Sequence, residues 1–160
     1  MPDNSHERDQ HARIELDGEI HDLRDRIEEF RDRLGRIGES NTKAALIEPL
    51  LACLGWDPRD PDQVDHEYRH TNADNPVDFA LIMQGDAVIM VEAKDLDRDI
   101  GQRKWISQVL SYAHLAGVEW CVLTNGDDYH IYNVHAPVDV EKKLFRAVSL
   151  SNADDHDQTV

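Results

Sequence analysis

The chain has 160 residues, 33 acidic against 17 basic, and a formal net charge of −16. That length allows one domain with a real core plus appendages and excludes two substantial domains. With no apolar run of membrane-spanning length, and no signal-peptide core in the polar stretch Met1 to Glu15, a soluble cytoplasmic protein is expected.

The charge argues against a nucleic-acid partner in dilute salt, because phosphate binding draws its affinity from Lys and Arg. Its make-up softens the objection: 22 Asp against 11 Glu, with only 5 Lys, spread along the chain, is a halophilic balance. In molar salt the Debye length is about 3 Å, so long-range repulsion from DNA is screened. An acidic protein of ordinary salt with no nucleic-acid role fits the same composition. Cys53 and Cys121 sit in apolar stretches without metal-ligand spacing, which predicts small buried hydrophobes and no disulfide.

Residues 1–13 are polar and predict disorder, as does the acidic tail 151–160 with Asp154, Asp155 and Asp157. Within 14–38, Leu16, Ile20, Leu23, Ile27, Phe30, Leu34 and Ile37 alternate steps of four and three, the seam of a coiled-coil-like amphipathic helix. A parallel homodimer through this 16–37 seam would bring Arg26 near Arg31 of the second copy, so packing on the chain's own domain, or on an acidic partner helix, competes with it. Gly35 and Gly38 break the pattern. Asn41 and Thr42 offer caps for a helix to about Leu54, interrupted by Pro49 and ended by Gly55.

A turn-rich loop spans 57–63, and strands are predicted at 64–69, 77–83 and 87–94. Gln102 to Ala116 reads as a helix with Ile106, Val109, Leu110 and Ala113 on one face, and 119–124 and 129–134 as two more strands. The order implies an α/β or α+β domain over 39–150, with a mixed central sheet flanked by helices.

Three charged residues break the strand patterns. Asp78 lies inside Val77 to Ile82, and Glu92 and Lys94 close the apolar run from Ala87 to Val91 on one face. A three-residue loop, Gln84 to Asp86, pairs Asp78 with Glu92; a two-residue loop at Gly85 and Asp86 turns Glu92 away. Facing carboxylates raise each other's pKa unless a cation lies between them, and hard oxygen ligands suit Mg²⁺, with Mn²⁺ as the alternative. An ordinary Glu92–Lys94 ion pair with Asp78 capping a loop accounts for the same letters, and on the residues alone is the commoner outcome.

Asp78 followed by Glu92-Ala93-Lys94 resembles the PD-(D/E)XK nuclease motif, with Val77 in place of its proline and Pro76 one step earlier. The run Asn41 to Leu51, then Leu54-Gly55-Trp56-Asp57, is more specific and resembles the N-terminal nuclease domain of type I restriction enzyme R subunits; Val77 to Leu81, Val91 to Lys94 and Gly117 to Gly126 continue the likeness in order, over about 39–134. The resemblance implies a restriction-endonuclease-like core and Mg²⁺-dependent cleavage of duplex DNA beside other restriction-system subunits. It implies Asp78, Glu92 and the Ala93 carbonyl as metal ligands, Lys94 as catalytic cation and an upstream helix acid at Glu48. Gln108 and Tyr112 match the QxxxY signature of RecB-like relatives, a helix bordering the site, whereas Lys104 reads as part of a solvated face.

The chain departs from that family by carrying no GxxxxGK[ST] phosphate loop, so no ATP-driven motor is expected in it. A non-catalytic DNA-binding or assembly module that retains the fold is the alternative. His66-Glu67-Tyr68-Arg69-His70 spells HExxH, but the segment lacks helical apolar periodicity, and in a strand the two histidines stand about 13 Å apart, too far to share one zinc.

Overall fold

A computed structural model describes residues 5–33, 37–71 and 75–152. Helix α1 (Ser5–Asp32) is followed by α2 (Glu39–Thr42), a π-helical segment (Lys43–Ile47) and α3 (Glu48–Cys53). Strands β1 (Val64–Tyr68), β2 (Val77–Met83) and β3 (Asp86–Ala93) precede α4 (Arg103–Ala116); then come β4 (Trp120–Thr124), β5 (Asp128–Asn133) and β6 (Leu144–Ser149). The six strands lie in sequence order in one sheet, β3 and β4 parallel and every other neighbouring pair antiparallel. The β3–α4–β4 crossover makes the sheet mixed, as parallel neighbours require.

Each face of the sheet has its own core. Val109, Leu110 and Ala113 of α4 pack with Ala80, Met90, Cys121 and Leu123, while Ile47 and Leu51 pack with Val64, Phe79, Leu81 and Val91. A further layer is α1, whose Leu23 and Ile27 are buried against Leu46, Leu50, Leu96 and Leu150. The seam is therefore covered by the chain's own domain, and its buried centre is not available to a second copy. Leu34 and Gly35 of the expected pattern lie outside the described residues.

Helix α1 begins at Ser5, so the expected disorder over 1–13 does not hold for 5–13; Glu7 in the first turn and the His11–Glu15 pair, 3.1 Å apart, favour helix in an exposed stretch. Removing residues 1–37 uncovers Leu46, Leu50, Leu96 and Leu150. Loss of Leu23 and Ile27 burial alone costs about 3–6 kcal/mol. We expect the truncated chain to melt well below the intact one in calorimetry, and the intact chain to sediment as a monomer.

The helix after Gly38 departs from the expected one in an instructive way. Asn41 and Thr42 do not cap its start; their side chains donate back to the Ile37 and Gly38 carbonyls, at 2.7 and 3.0 Å. Pro49 has no N–H and its ring crowds the carbonyl four residues earlier, that of Ala45. The chain answers with the π turn over Lys43–Ile47, and Arg26 of α1 donates to the Ala45 carbonyl at 3.0 Å.

The β2–β3 hairpin corrects the loop reading. Met83 pairs with Asp86, so the loop is Gln84 and Gly85, both at positive φ (55° and 88°), the pattern of a type I′ turn. That even loop alone would set Asp78 opposite Val91. A bulge between Leu81 and Ile82 leaves Val88 without a partner and shifts the register by one, so that Phe79 faces Val91 and, one step on, Asp78 faces Glu92. The expected pairing is reached by a two-residue turn plus a bulge. Strand β6 was not expected from the sequence; it is an edge strand exposed over Leu144–Ala147, and such a strand lacks the alternation that a half-buried one shows.

Candidate metal-binding active site

Asp78 and Glu92 occupy facing positions of β2 and β3, and Lys94 follows on the same side just past β3; all three are buried, each 8% exposed. Asp78 Oδ2 accepts the Ala93 N–H at 2.8 Å. The N–H and C=O of one strand residue leave on the same edge, so the Ala93 carbonyl emerges beside Asp78. Lys94 N donates to the Thr124 carbonyl at 2.8 Å, holding the end of β3 against β4. Lys94 Nζ lies 2.7 Å from Glu92 Oε1 and 4.4 Å from the centroid of the Trp105 ring, a cation–π contact. Lys104, expected on a solvated face, rests its ammonium 4.3 Å from the same ring.

Burial pushes the Glu92 pKa up, and the charge of Asp78 adds to this against the Lys94 hydrogen bond. The two carboxylates therefore sense each other. An acid with a raised folded-state pKa binds more protons folded than unfolded, so its stabilising contribution is full below the ordinary value near 4.5 and is lost as pH rises through the raised value. In EDTA, denaturant midpoints should fall with pH above that ordinary value, and Glu92→Gln should flatten the slope; an unchanged slope would contradict the shift.

Sequence reasoning missed two residues here. Lys43, the first residue of the π segment, places Nζ 2.6 Å from Asp78 Oδ1 and 3.3 Å from Glu67 Oε1. Burial works against the Lys43 ammonium, but the hydrogen bonds and charges of Asp78 and Glu67 outweigh it and raise its pKa. Glu39 opens α2 directly after Gly38, and its pKa is raised by desolvation and then by Asp78, with Lys94 and Lys43 opposing. No local pattern marks either one; a positive φ at Gly38 and a π turn bring them in.

Glu48 lies on α3 with Oε1 4.0 Å from His66 Nδ1, and among the described residues no hydrogen bond or ion pair joins it to Asp78, Glu92 or Lys94. Gln108 is exposed on α4, and no hydrogen bond joins it to Asp78, Glu92 or Lys94 among the described residues. Tyr112 is buried, and its hydroxyl donates to the Tyr68 carbonyl at 2.9 Å and accepts from the His70 N–H at 2.7 Å, fixing the end of β1. The HExxH letters fall on β1 and beyond; His66 contacts the Pro58 carbonyl at 2.7 Å and Phe79 edge-on, whereas His70 meets Tyr112. Among the described residues no three His, Cys, Asp or Glu side chains gather as a metal cage. Both cysteines are free, and burial raises the Cys121 thiol to about 12.

A mixed six-stranded sheet between helices brings an Asp and a Glu-x-Lys to facing positions on adjacent strands, the arrangement that the sequence resemblance leads one to expect. The family described as Type I restriction enzyme R protein N terminus (HSDR_N) matches residues 41–146, and the chain belongs to it. Among solved structures, a fragment assigned to an HsdR subunit of a type I restriction enzyme from Vibrio vulnificus YJ016 shares the fold, with TM-score 0.52 and 20% identity. That likeness covers 63% of this chain and only 22% of the other. No curated protein matches the chain. Among the described residues no helix is long and apolar enough to cross a membrane.

Proposed function

We propose that this domain is a Mg²⁺-dependent endonuclease that hydrolyses phosphodiester bonds of duplex DNA, with Mn²⁺ able to substitute. The observation that carries the reading is the grouping of Asp78, Glu92 and Lys94, buried on one face at the ends of neighbouring strands. Asp78, Glu92 and the Ala93 carbonyl would hold the metal. Their donor set fits: Mg²⁺ takes hard oxygens, needs only one or two carboxylates and keeps several waters, so a cage of three acids is not required. When bound, the ion would polarise the scissile phosphate and lower the pKa of a water.

Lys94, held between Glu92 and Trp105, orients that water or neutralises charge developing on phosphorus. The upstream acid is better placed at Glu39 than at Glu48, because Glu39 senses Asp78 and both lysines while Glu48 faces His66. Gln108 supports the site from the exposed side of α4, as a contact to DNA, and Tyr112 supports it by fixing the end of β1. The domain would act in the cytoplasm beside restriction-system subunits that supply motor and specificity functions.

One observation favours the second reading, a DNA-binding or assembly module without catalysis: Asp78 and Glu92 each already carry a lysine ammonium. Incubation of supercoiled plasmid with the chain in Mg²⁺, Mn²⁺ or EDTA, at low and molar salt, separates the two. The nuclease requires cleavage in either divalent ion and none in EDTA. Salt-sensitive DNA binding without cleavage in any divalent ion would establish the module instead.

A further inference from the structure

The acids at this site are more numerous than the metal-binding pair. Tyr68 faces Val77 and His66 faces Phe79, so the position between them sets Glu67 opposite Asp78, which in turn faces Glu92. Three carboxylates thus form one row across β1, β2 and β3, and like charges directly opposite each other on a sheet destabilise it. Glu67 has a left-handed backbone, φ 53°, which a non-glycine residue adopts only at some cost.

Into this row the π segment delivers a single ammonium. Lys43 Nζ sits between Glu67 and Asp78, nearer Asp78 at 2.6 Å than Glu67 at 3.3 Å, with 17% of its side chain exposed. Asp78 has its other oxygen engaged by the Ala93 N–H. A divalent ion taking Asp78 Oδ1 must therefore compete with Lys43 for that oxygen, and the displaced ammonium already has a second carboxylate within reach. Glu67 is the more exposed of the two acids, 62% against 9% for its side chain, so the exchange moves Lys43 toward solvent.

Resting on the metal-site reading above, we infer that Lys43 is a displaceable counter-cation: its ammonium neutralises Asp78 in the metal-free protein and passes to Glu67 when a divalent ion takes Asp78. The device keeps Asp78 neutralised before the metal arrives and frees its Oδ1 for the ion afterwards. Lys43 is a positioning residue here, acting through Asp78 and Glu67.

Manganese binding to the full chain without DNA, followed by electron paramagnetic resonance, tests the exchange. Lys43→Met removes the competitor and should tighten Mn²⁺ on the order of tenfold. Glu67→Gln removes the receiving carboxylate and should weaken it roughly threefold. In the Lys43→Met/Glu67→Gln double variant the Glu67 effect should disappear, because it acts through Lys43. Lys43→Gln, uncharged but still able to donate to Asp78, should shift affinity in the same direction and serves if the Met variant does not fold. Binding no tighter in either Lys43 variant, or a Glu67 effect undiminished in the double variant, overturns the inference while leaving the metal site intact. Binding that ignores Asp78→Asn overturns the metal-site reading, and this inference with it.

Discussion

Lys94→Ala should lower Mg²⁺-dependent DNA cleavage by about 10²–10³-fold in single-turnover experiments, the scale seen when a preorganised charge at a reacting centre is removed, while Mn²⁺ still binds. The two effects separate because Lys94 would supply no metal-binding atom: its ammonium pairs with Glu92 Oε1 and rests on the Trp105 ring, and removing it leaves that oxygen open to the ion. Lys94→Arg should not rescue the rate. A guanidinium is a wide planar fork, whereas the space between Glu92 and Trp105 holds one compact ammonium. The metal-free variant should also be less stable, since breaking a buried pair by removing one partner leaves an uncompensated charge. Raising Mg²⁺ should restore part of that loss. Cleavage within a factor of two of the wild-type rate would remove Lys94 from the mechanism.

Gly126→Ala should destabilise the domain by about 2–4 kcal/mol, a fall in melting temperature of roughly 5–15 °C. Gly126 has φ 88°, and an added Cβ would stand 2.9 Å from Leu46 Cδ1 and 3.0 Å from Thr42 Cγ2. Neither neighbour gives way easily: both are fully buried, and Thr42 Oγ1 also accepts the Leu96 N–H at 3.1 Å. The turn after β4 is further tied by Asn125, whose Oδ1 accepts the Asp127 and Asp128 N–H groups at 3.0 and 2.7 Å, and by Asp127, which accepts from Ser151 N at 2.8 Å and pairs with Arg31 at 2.8 Å. Gly117→Ala is the control: φ is 71° but nothing lies within 4 Å of the added carbon, so only the backbone cost of about 1–2 kcal/mol remains. Equal melting shifts for the two would contradict the close approach at Gly126.

Most of the sheet and α4 were legible because their apolar residues repeat with the period of the element that carries them. Val109, Leu110 and Ala113 fall on one helical face, and Phe79, Leu81 and Val91 on one side of the sheet. The charged triad was legible because Asp78, Glu92 and Lys94 interrupt patterns that otherwise run apolar. The hairpin was legible only in outcome: parity counting from the loop cannot see that a bulge at Val88 offsets an even turn. Glu39 and Lys43 were beyond a local reading, since their positions depend on a π turn whose cause, Pro49, lies six residues after Lys43. Strand β6, exposed along most of its length, offers no burial pattern to read.

A Mg²⁺-dependent site here requires one divalent ion that touches Asp78 and Glu92 together. Crystals grown in Mn²⁺, with anomalous diffraction data collected near the manganese edge, would locate that ion independently of any contaminating nuclease activity. A single strong anomalous peak is expected within coordination distance of an Asp78 oxygen, a Glu92 oxygen and the Ala93 carbonyl, with Lys43 drawn toward Glu67. A peak elsewhere, or no peak while both carboxylates keep their lysines in saturating Mn²⁺, would contradict it.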